Sequence, residues 1–169
     1  MYILHDLRFY FQRKCSILAG KNNFTLKTKP SEMSFLNIKL PAAAHDTGLL
    51  ILRVVMGFCM IYGHGWGKLM RLFGPDEITF ADPFGLGPVL SLGLAAFAEV
   101  ICALLVMVGL FTRAATIPLI ITMVTAFFVA HLDDPFGQQE KVILFAGAYL
   151  ALFFTGAGRY SIDAQLERR

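Results

Sequence analysis

Four long apolar runs separated by short polar connections limit this chain to one class of architecture. The runs cover residues 47–66, 86–110, 114–132 and 141–157. Each is close to the roughly 20 residues that an α-helix needs to cross a lipid bilayer. The chain is 56% hydrophobic and 16% charged, whereas soluble domains average about 45–50% apolar and about 25% charged residues. The runs therefore predict an all-α integral membrane protein, a four-helix bundle of antiparallel spans, and disfavour a soluble helical protein.

The basic residues predict how these spans are oriented. Those before the first run are Arg8, Arg13, Lys14, Lys21, Lys27, Lys29 and Lys39, and later ones are Arg113, Arg159, Arg168 and Arg169. The connections after the first and third runs are acidic on balance. Because lysine and arginine favour the cytoplasmic side, we expect both termini and the turn at Arg113 to lie at the cytoplasmic face of the cell membrane. No basic patch interleaved with aromatic residues indicates nucleic-acid binding.

Residues 1–46 differ in composition from the rest and are assigned to a basic N-terminal leader, with the membrane domain covering 47–166. The leader has no apolar core of signal-peptide length. Two interpretations stay open. Either Leu4, Leu7 and Phe11 form one side of an amphipathic stretch that lies on the anionic leaflet, or the biological start is Met33. In both cases we expect weak order up to Pro41.

Two opposite charges lie deep inside the first two runs. If the ends of the connecting loop mark the outer boundary, Arg53 and Glu99 each lie eleven residues further in, or about 16 Å at 1.5 Å per residue. Because a lone charge at that depth is costly, ionisable residues in membranes usually pair. We therefore expect Arg53 and Glu99 to meet, with Thr122 and Tyr149 in the same polar layer. That layer is either a structural pair or a chamber for a small polar or quinone-like molecule.

Histidines and cysteines raise two weaker hypotheses. His64 and His131 lie at the outer ends of their runs, and with a carboxylate they would match a two-histidine, one-carboxylate iron site. No HxxH, HExxH or ExxH spacing supports a preformed site, so the sequence predicts no metal and leaves these histidines as weak candidates. Cys59 and Cys102 lie inside the first two runs, where cysteine usually serves as a small hydrophobic residue. A redox pair between them is the less favoured interpretation.

The stretch YGHGWGK at 62–68 combines residues typical of a membrane boundary with a histidine. Gly63, Gly65 and Gly67 would allow a neighbouring backbone to approach closely, and Gly63 and Gly67 have the four-residue spacing of tight helix contacts. Trp66 suits the membrane interface. Lys68 can extend its amine to water. The following loop, residues 69–88, is apolar enough to fold over the outer mouth of the bundle. The tetrapeptide DPFG precedes both the second and the fourth runs; coincidence in a biased composition is the favoured explanation, and an internal repeat is the alternative.

Taken in order, these motifs resemble the DoxX family. They are Arg53, Gly57, the 63–68 stretch, Glu99, GLFTR at 109–113, His131 with Leu132, and TGAGRYSID at 155–163. The resemblance covers most of residues 48–166 and implies a four-helix integral membrane protein. Some such proteins are described as membrane subunits of oxidoreductase systems, and others are linked to quinone stress or to the folding or export of membrane proteins. The residues that the resemblance marks are Arg53, His64, Lys68, Glu99, Arg113, Arg159, Tyr160, Ser161 and Asp163.

Two functional hypotheses follow. In the first, the chain is a membrane subunit of a redox or quinone-linked system, in which Glu99 exchanges a proton with a quinone and Arg53 holds the carboxylate. The proposed binding residues are His64, Lys68, Glu99, Arg53, Tyr149 and Thr122. The sequence has no haem ligand pair, dinucleotide fingerprint or iron–sulfur cysteine set, so a membrane quinone and a redox partner protein would supply the electron chemistry. In the second, a non-catalytic scaffold, chaperone or small transporter uses the Arg–Glu pair structurally. A homo-oligomer in the bilayer stays open in both.

Overall fold

The computed structural model describes residues 41–168, and within them every regular element is helical. In chain order these are α1, Ala42–Leu72; α2, Pro88–Val108; α3, Thr112–Ala130; α4, Phe136–Thr155; and α5, Ile162–Leu166. The all-α prediction is confirmed. The predictions for the leader up to residue 40, including the amphipathic stretch and the start at Met33, lie outside the described residues.

Three of these helices, α1, α2 and α3, are long and apolar enough to cross a membrane. The fourth, α4, has 20 residues, but its first six, FGQQEK at 136–141, are mostly polar. Its apolar part is correspondingly shorter than those of the other three. The structure therefore supports a helical membrane protein with several spans, while the fourth crossing stays a prediction.

Helix α1 continues six residues beyond its predicted end at Trp66 and stops at Leu72. The glycine-rich stretch widens the helix into a π-helical turn, Ile61–Gly65, after which the amide of Trp66 donates to the carbonyl oxygen of Ile61. Inside a bilayer, backbone groups have no water to bond, so a helix that keeps its own hydrogen bonds is favoured even through glycines. The connection that remains, residues 73–87, contains no helix or strand.

Helices α1 and α2 run antiparallel and approach closely at two glycines of α1. A Cβ on Gly57 would lie 2.9 Å from the carbonyl oxygen of Ala103, and one on Gly65 would lie 2.7 Å from that of Glu99. A Cβ on Gly63 or Gly67 would meet nothing within 4 Å. Among the described residues, the predicted close approach is therefore confirmed at Gly65 and wrong at Gly63 and Gly67. Gly65 makes it, because it is the glycine of the motif on the α2 side of the π turn.

The core lies between the four long helices, where Met60, Leu92, Leu119 and Leu152 are fully buried. Large apolar side chains also cover the outside of every long helix; examples are Phe58, Phe97, Ile121 and Leu144. A soluble protein would place polar residues there, so this surface fits hydrocarbon rather than water. We call the end where α1 and α3 begin the tail end, and the end where α1 and α3 finish the loop end.

Candidate functional site

The centre of the loop end is an ion pair between α1 and α2. The carboxylate of Glu99 is 2% exposed, and the amine of Lys68 donates to its two oxygens at 2.6 and 2.5 Å. The side chain of Lys68 is 24% exposed, so the pair reaches from the core towards the surface. Both carboxylate oxygens are satisfied by one cation, which is the arrangement that makes a buried charge tolerable.

Two π-helical turns hold this pair in place. Ile61–Gly65 in α1 packs against Phe97–Cys102 in α2. In the second turn, the amide of Ala103 donates to the carbonyl oxygen of Ala98 five residues back. Gly65 rests on the backbone of Glu99, and Lys68 lies three residues further along, on the same face of α1. Wide turns of this type occur often at functional sites, and here one of them carries the buried carboxylate itself.

An aromatic row connects α1 to α4 near the pair. The ring of His64 meets Phe145 edge-on at 5.6 Å, and Phe145 stacks on Tyr149 with ring centroids 6.2 Å apart. Tyr149 is fully buried, and its hydroxyl donates to the carbonyl oxygen of Met56 at 3.2 Å. Four titratable groups lie near His64: Glu99, Lys68, Lys141 and His131. The loop end therefore collects basic and acidic groups from all four long helices or their ends.

Arg53 does not pair with Glu99, so this prediction is wrong. Glu99 lies against Gly65, twelve residues along α1 from Arg53, which is about 18 Å of helix. The predicted depths start from His64 as the outer boundary, but α1 continues for eight residues beyond it, to Leu72. The longer helix brings Lys68 to Glu99 and leaves Arg53 level with the end of α2.

At the tail end, Arg53 is fully buried and donates from Nη2 to the carbonyl oxygen of Tyr160 at 2.6 Å. Asp163 supplies the negative charge that interacts electrostatically with this guanidinium. Gly109, in the left-handed conformation with φ of 76°, leaves room for the guanidinium, because a Cβ there would collide with Nη1 of Arg53. The Nε and Nη1 of Arg53 have no hydrogen-bond partner among the described residues.

The segment after α4 closes the tail end through Asp163. Its carboxylate accepts the amides of Phe111 at 2.7 Å and Thr112 at 3.0 Å, and its own amide donates to Gly109. Ser161 caps α5 by accepting the amide of Ala164 at 3.1 Å. The residues marked by the family resemblance thus separate into two groups. His64, Lys68 and Glu99 lie at the loop end; Arg53, Arg113, Arg159, Tyr160, Ser161 and Asp163 lie at the tail end.

The remaining predicted site residues have local roles. The hydroxyl of Thr122 donates to Pro118 in its own helix at 2.8 Å, so no hydrogen bond connects it to Glu99. His131 pairs with Asp134 at 2.7 Å, and within residues 41–168 no cluster of three or more histidine, cysteine or acidic side chains is placed to hold a metal ion. Cys59 is exposed and Cys102 buried, both as free thiols.

Asp82 has a role that the sequence analysis missed. Its carboxylate accepts the amides of Leu86 and Gly87 at 2.9 and 2.8 Å and the hydroxyl of Ser91 at 2.8 Å. These bonds, that of Ser91 above all, lower the pKa of Asp82 from its ordinary value. An aspartate shortly before Pro88, the first residue of α2, was the available signal. In the second DPFG copy the aspartate binds His131 instead, so the two copies differ in role.

The chain matches known membrane proteins over most of its length. The DoxX family model matches residues 48–132. The inner membrane protein YqjF of Escherichia coli (strain K12) is 30% identical over 129 residues, which cover 73% of this chain and 95% of the relative. The inner membrane protein YphA of the same organism is 31% identical over 131 residues, covering 72% and 91%.

An uncharacterized membrane protein of Mycobacterium tuberculosis, Rv3486, is 29% identical over 119 residues, covering 62% of this chain and 66% of the relative. No solved structure matches the chain. Together with the three apolar helices, these relatives place the chain in the cell membrane as a protein with several spans.

Proposed function

This chain belongs to the DoxX family, and we propose that it works as a membrane subunit of a redox or quinone-linked system, with the Glu99–Lys68 pair as its proton-exchanging group. The observation that carries the proposal is the carboxylate of Glu99, which is 2% exposed and held by one partly exposed amine. A buried carboxylate in a membrane is costly, and its presence commonly marks a site of binding or proton transfer.

In this proposal Lys68 takes the place that the sequence analysis gave to Arg53. A quinone that is reduced to a quinol takes up two electrons and two protons. The electrons come from a redox partner protein, and the carboxyl group of Glu99 passes protons to a quinone oxygen. Lys68 supports the proton transfer because its amine stabilises the carboxylate that remains after each proton leaves. His64 lies near the pair and also near Lys141, which is exposed, so these two residues offer a route for protons from water.

The proposed topology is four spans with both termini in the cytoplasm. Helix α4 has 20 residues, enough for about 30 Å of rise, and a turn of only five residues separates it from α3. The arginines at 113, 159 and 168 lie at the tail end, which favours a cytoplasmic position for that end. The Glu99–Lys68 pair would then lie towards the outer side of the membrane.

The alternative function is a non-catalytic scaffold, chaperone or small transporter. The tail end favours it, because a buried arginine, a left-handed glycine and a capping aspartate there join α1, α2, α3 and α5 into one unit. Under this alternative the Glu99–Lys68 pair sets the register of two helices and binds nothing. Replacing either residue would then reduce assembly without loss of any bound molecule.

The deciding experiment is extraction of the full-length protein, purified in mild detergent, followed by mass spectrometry of the extracted quinone. We expect about one quinone per chain in the parent protein and little in Glu99→Gln, a change that keeps the shape and removes the charge. Arg71→Gln is the matched control, because Arg71 lies on the same helix near Lys68 but bonds the carbonyl oxygen of Thr79. Only phospholipid in the parent protein, or equal quinone in Glu99→Gln, would contradict the proposal.

A further inference from the structure

A second candidate site lies at the tail end, far from the Glu99–Lys68 pair. An open cavity of about 890 Å³ lies between the start of α3, the end of α4 and α5. Its walls include Thr112, Arg113, Arg159, Asp163 and Arg168. The proposed proton exchange uses none of these side chains, so a result against one site does not bear on the other.

The charged residues that line the cavity are three arginines and two carboxylates, Asp163 and Glu167, which leaves a net positive charge. Asp163 is occupied, because its two oxygens already accept the amides at the start of α3. Within residues 41–168 none of the three arginines forms an ion pair with a carboxylate. Arg113 makes only a long bond, 3.5 Å, to the carbonyl oxygen of Phe154. Arginine presents a planar set of donors that matches phosphate oxygens in geometry and charge.

A buried hydroxyl gives an independent indication that a ligand belongs here. Thr112 is 1% exposed, and its Oγ1 has no hydrogen-bond partner among the described residues. Buried polar side chains are nearly always bonded, so an unbonded one calls for a missing partner. Thr112 lines the cavity beside Arg113, and its buried Oγ1 would have to turn towards the cavity for a phosphate oxygen to accept from both side chains.

The rim of the cavity is apolar. Phe111 and Leu166 line it and are 65% and 53% exposed. Exposed apolar side chains beside a cluster of arginines, at the end of a bundle whose outer surface is hydrocarbon-like, suit a ligand with a charged head and apolar tails. We propose that the cavity binds the phosphate headgroup of an acidic phospholipid, with Arg113, Arg159 and Thr112 on the phosphate and the acyl chains against Phe111 and Leu166.

The test uses the full-length protein in detergent with added phosphatidylglycerol, phosphatidylcholine or inorganic phosphate, and measures binding by native mass spectrometry and by thermal unfolding. We expect phosphatidylglycerol to bind more tightly than phosphatidylcholine, and the double variant Arg113→Gln/Arg159→Gln to weaken phosphatidylglycerol binding by about tenfold or more. Arg71→Gln, at the loop end, is the control and should leave phosphatidylglycerol binding unchanged. Equal binding of the two lipids, or full binding by the double variant, would overturn the proposal.

Thr112→Val keeps the test valid if the double variant folds poorly. Valine has the shape of threonine without the hydroxyl, so the lipid-free protein should unfold at the same temperature or higher, since a buried unbonded group has been removed. Its affinity for phosphatidylglycerol should fall severalfold. If inorganic phosphate alone raises the unfolding temperature and displaces the lipid, the site belongs to a soluble phosphate, and the lipid assignment is overturned.

Discussion

The substitution of Gly65 by alanine tests whether the contact between the two π turns holds the loop end together. The new methyl group would lie 2.7 Å from the carbonyl oxygen of Glu99 and 2.7 Å from Cγ2 of Val100. Ordinary contact begins near 3.4 Å, so the backbone of α2 must retreat by about 0.7 Å. Overpacking of this kind costs about 1–3 kcal/mol. The retreat also moves Glu99, the residue that Lys68 holds.

The same motif supplies two matched controls. Gly63→Ala and Gly67→Ala place the methyl group in open space, and alanine in a helix interior is favoured over glycine by about 0.5–1 kcal/mol. Because Gly65→Ala shares that propensity gain, thermal or denaturant unfolding in one detergent should separate it from the controls by the overpacking cost alone, about 1–3 kcal/mol. If Gly65→Ala is as stable as Gly63→Ala, the close packing of α1 on α2 inferred here is wrong.

Three further predictions use the same unfolding measurement. Lys68→Met should destabilise the protein by less than the roughly 3–5 kcal/mol of a fully buried pair, because Lys68 is 24% exposed, and adding Glu99→Gln should recover part of the loss. Gly109→Ala should be strongly destabilising, because it combines a left-handed backbone with a collision against Arg53. The lowered pKa of Asp82 contributes stability that is present above the ordinary aspartate pKa of about 4 and is lost as the pH falls through the lowered value. Asp82→Asn should flatten that dependence in the acidic range below the ordinary aspartate pKa.

Each of these has an outcome that would count against it. A double variant at 68 and 99 no more stable than Lys68→Met would mean that the two side chains are not coupled. Gly85→Ala serves as the control for Gly109→Ala, because Gly85 also has positive φ, 66°, but nothing lies near its Cβ position. Equal losses of stability at the two positions would show that the collision with Arg53 does not contribute. An Asp82→Asn protein with the acid profile of the parent would show that the bonds to α2 do not control the acid response.

The apolar runs were sufficient to predict the helices, because a span must be long, apolar and internally bonded. The run around Glu99 and the runs at 114–132 and 47–66 correspond to α2, α3 and α1. The apolar runs did not predict the residue at which α1 ends. Glycine lowers helix propensity in water, but in a membrane there is no competing solvent, so the helix passed through the 63–67 stretch and stopped at Leu72.

The outer boundary placed at His64 explains the wrong partner for Glu99. Depth arithmetic assumes a common starting level, and an eight-residue error moves a side chain by about 12 Å. Lys68 was assigned to water because it followed the predicted end of the helix, although it is the nearest cation to Glu99 once α1 is extended. The role of Asp163 was invisible for a different reason: it acts on backbone amides about 50 residues away, and no local pattern encodes such a contact.

The hydrogen bond between Arg53 and Tyr160 can form only late in the synthesis of the chain. The two residues are 107 positions apart, and ribosomes add about 5–20 residues per second. Arg53 therefore emerges about 5–20 seconds before the carbonyl group that receives it exists. Until then water or lipid must solvate its guanidinium, and α1 stays in the translocation machinery or the bilayer with this charge unpaired. The closing of the tail end is consequently a late event of biogenesis, triggered by the synthesis of residues 158–163.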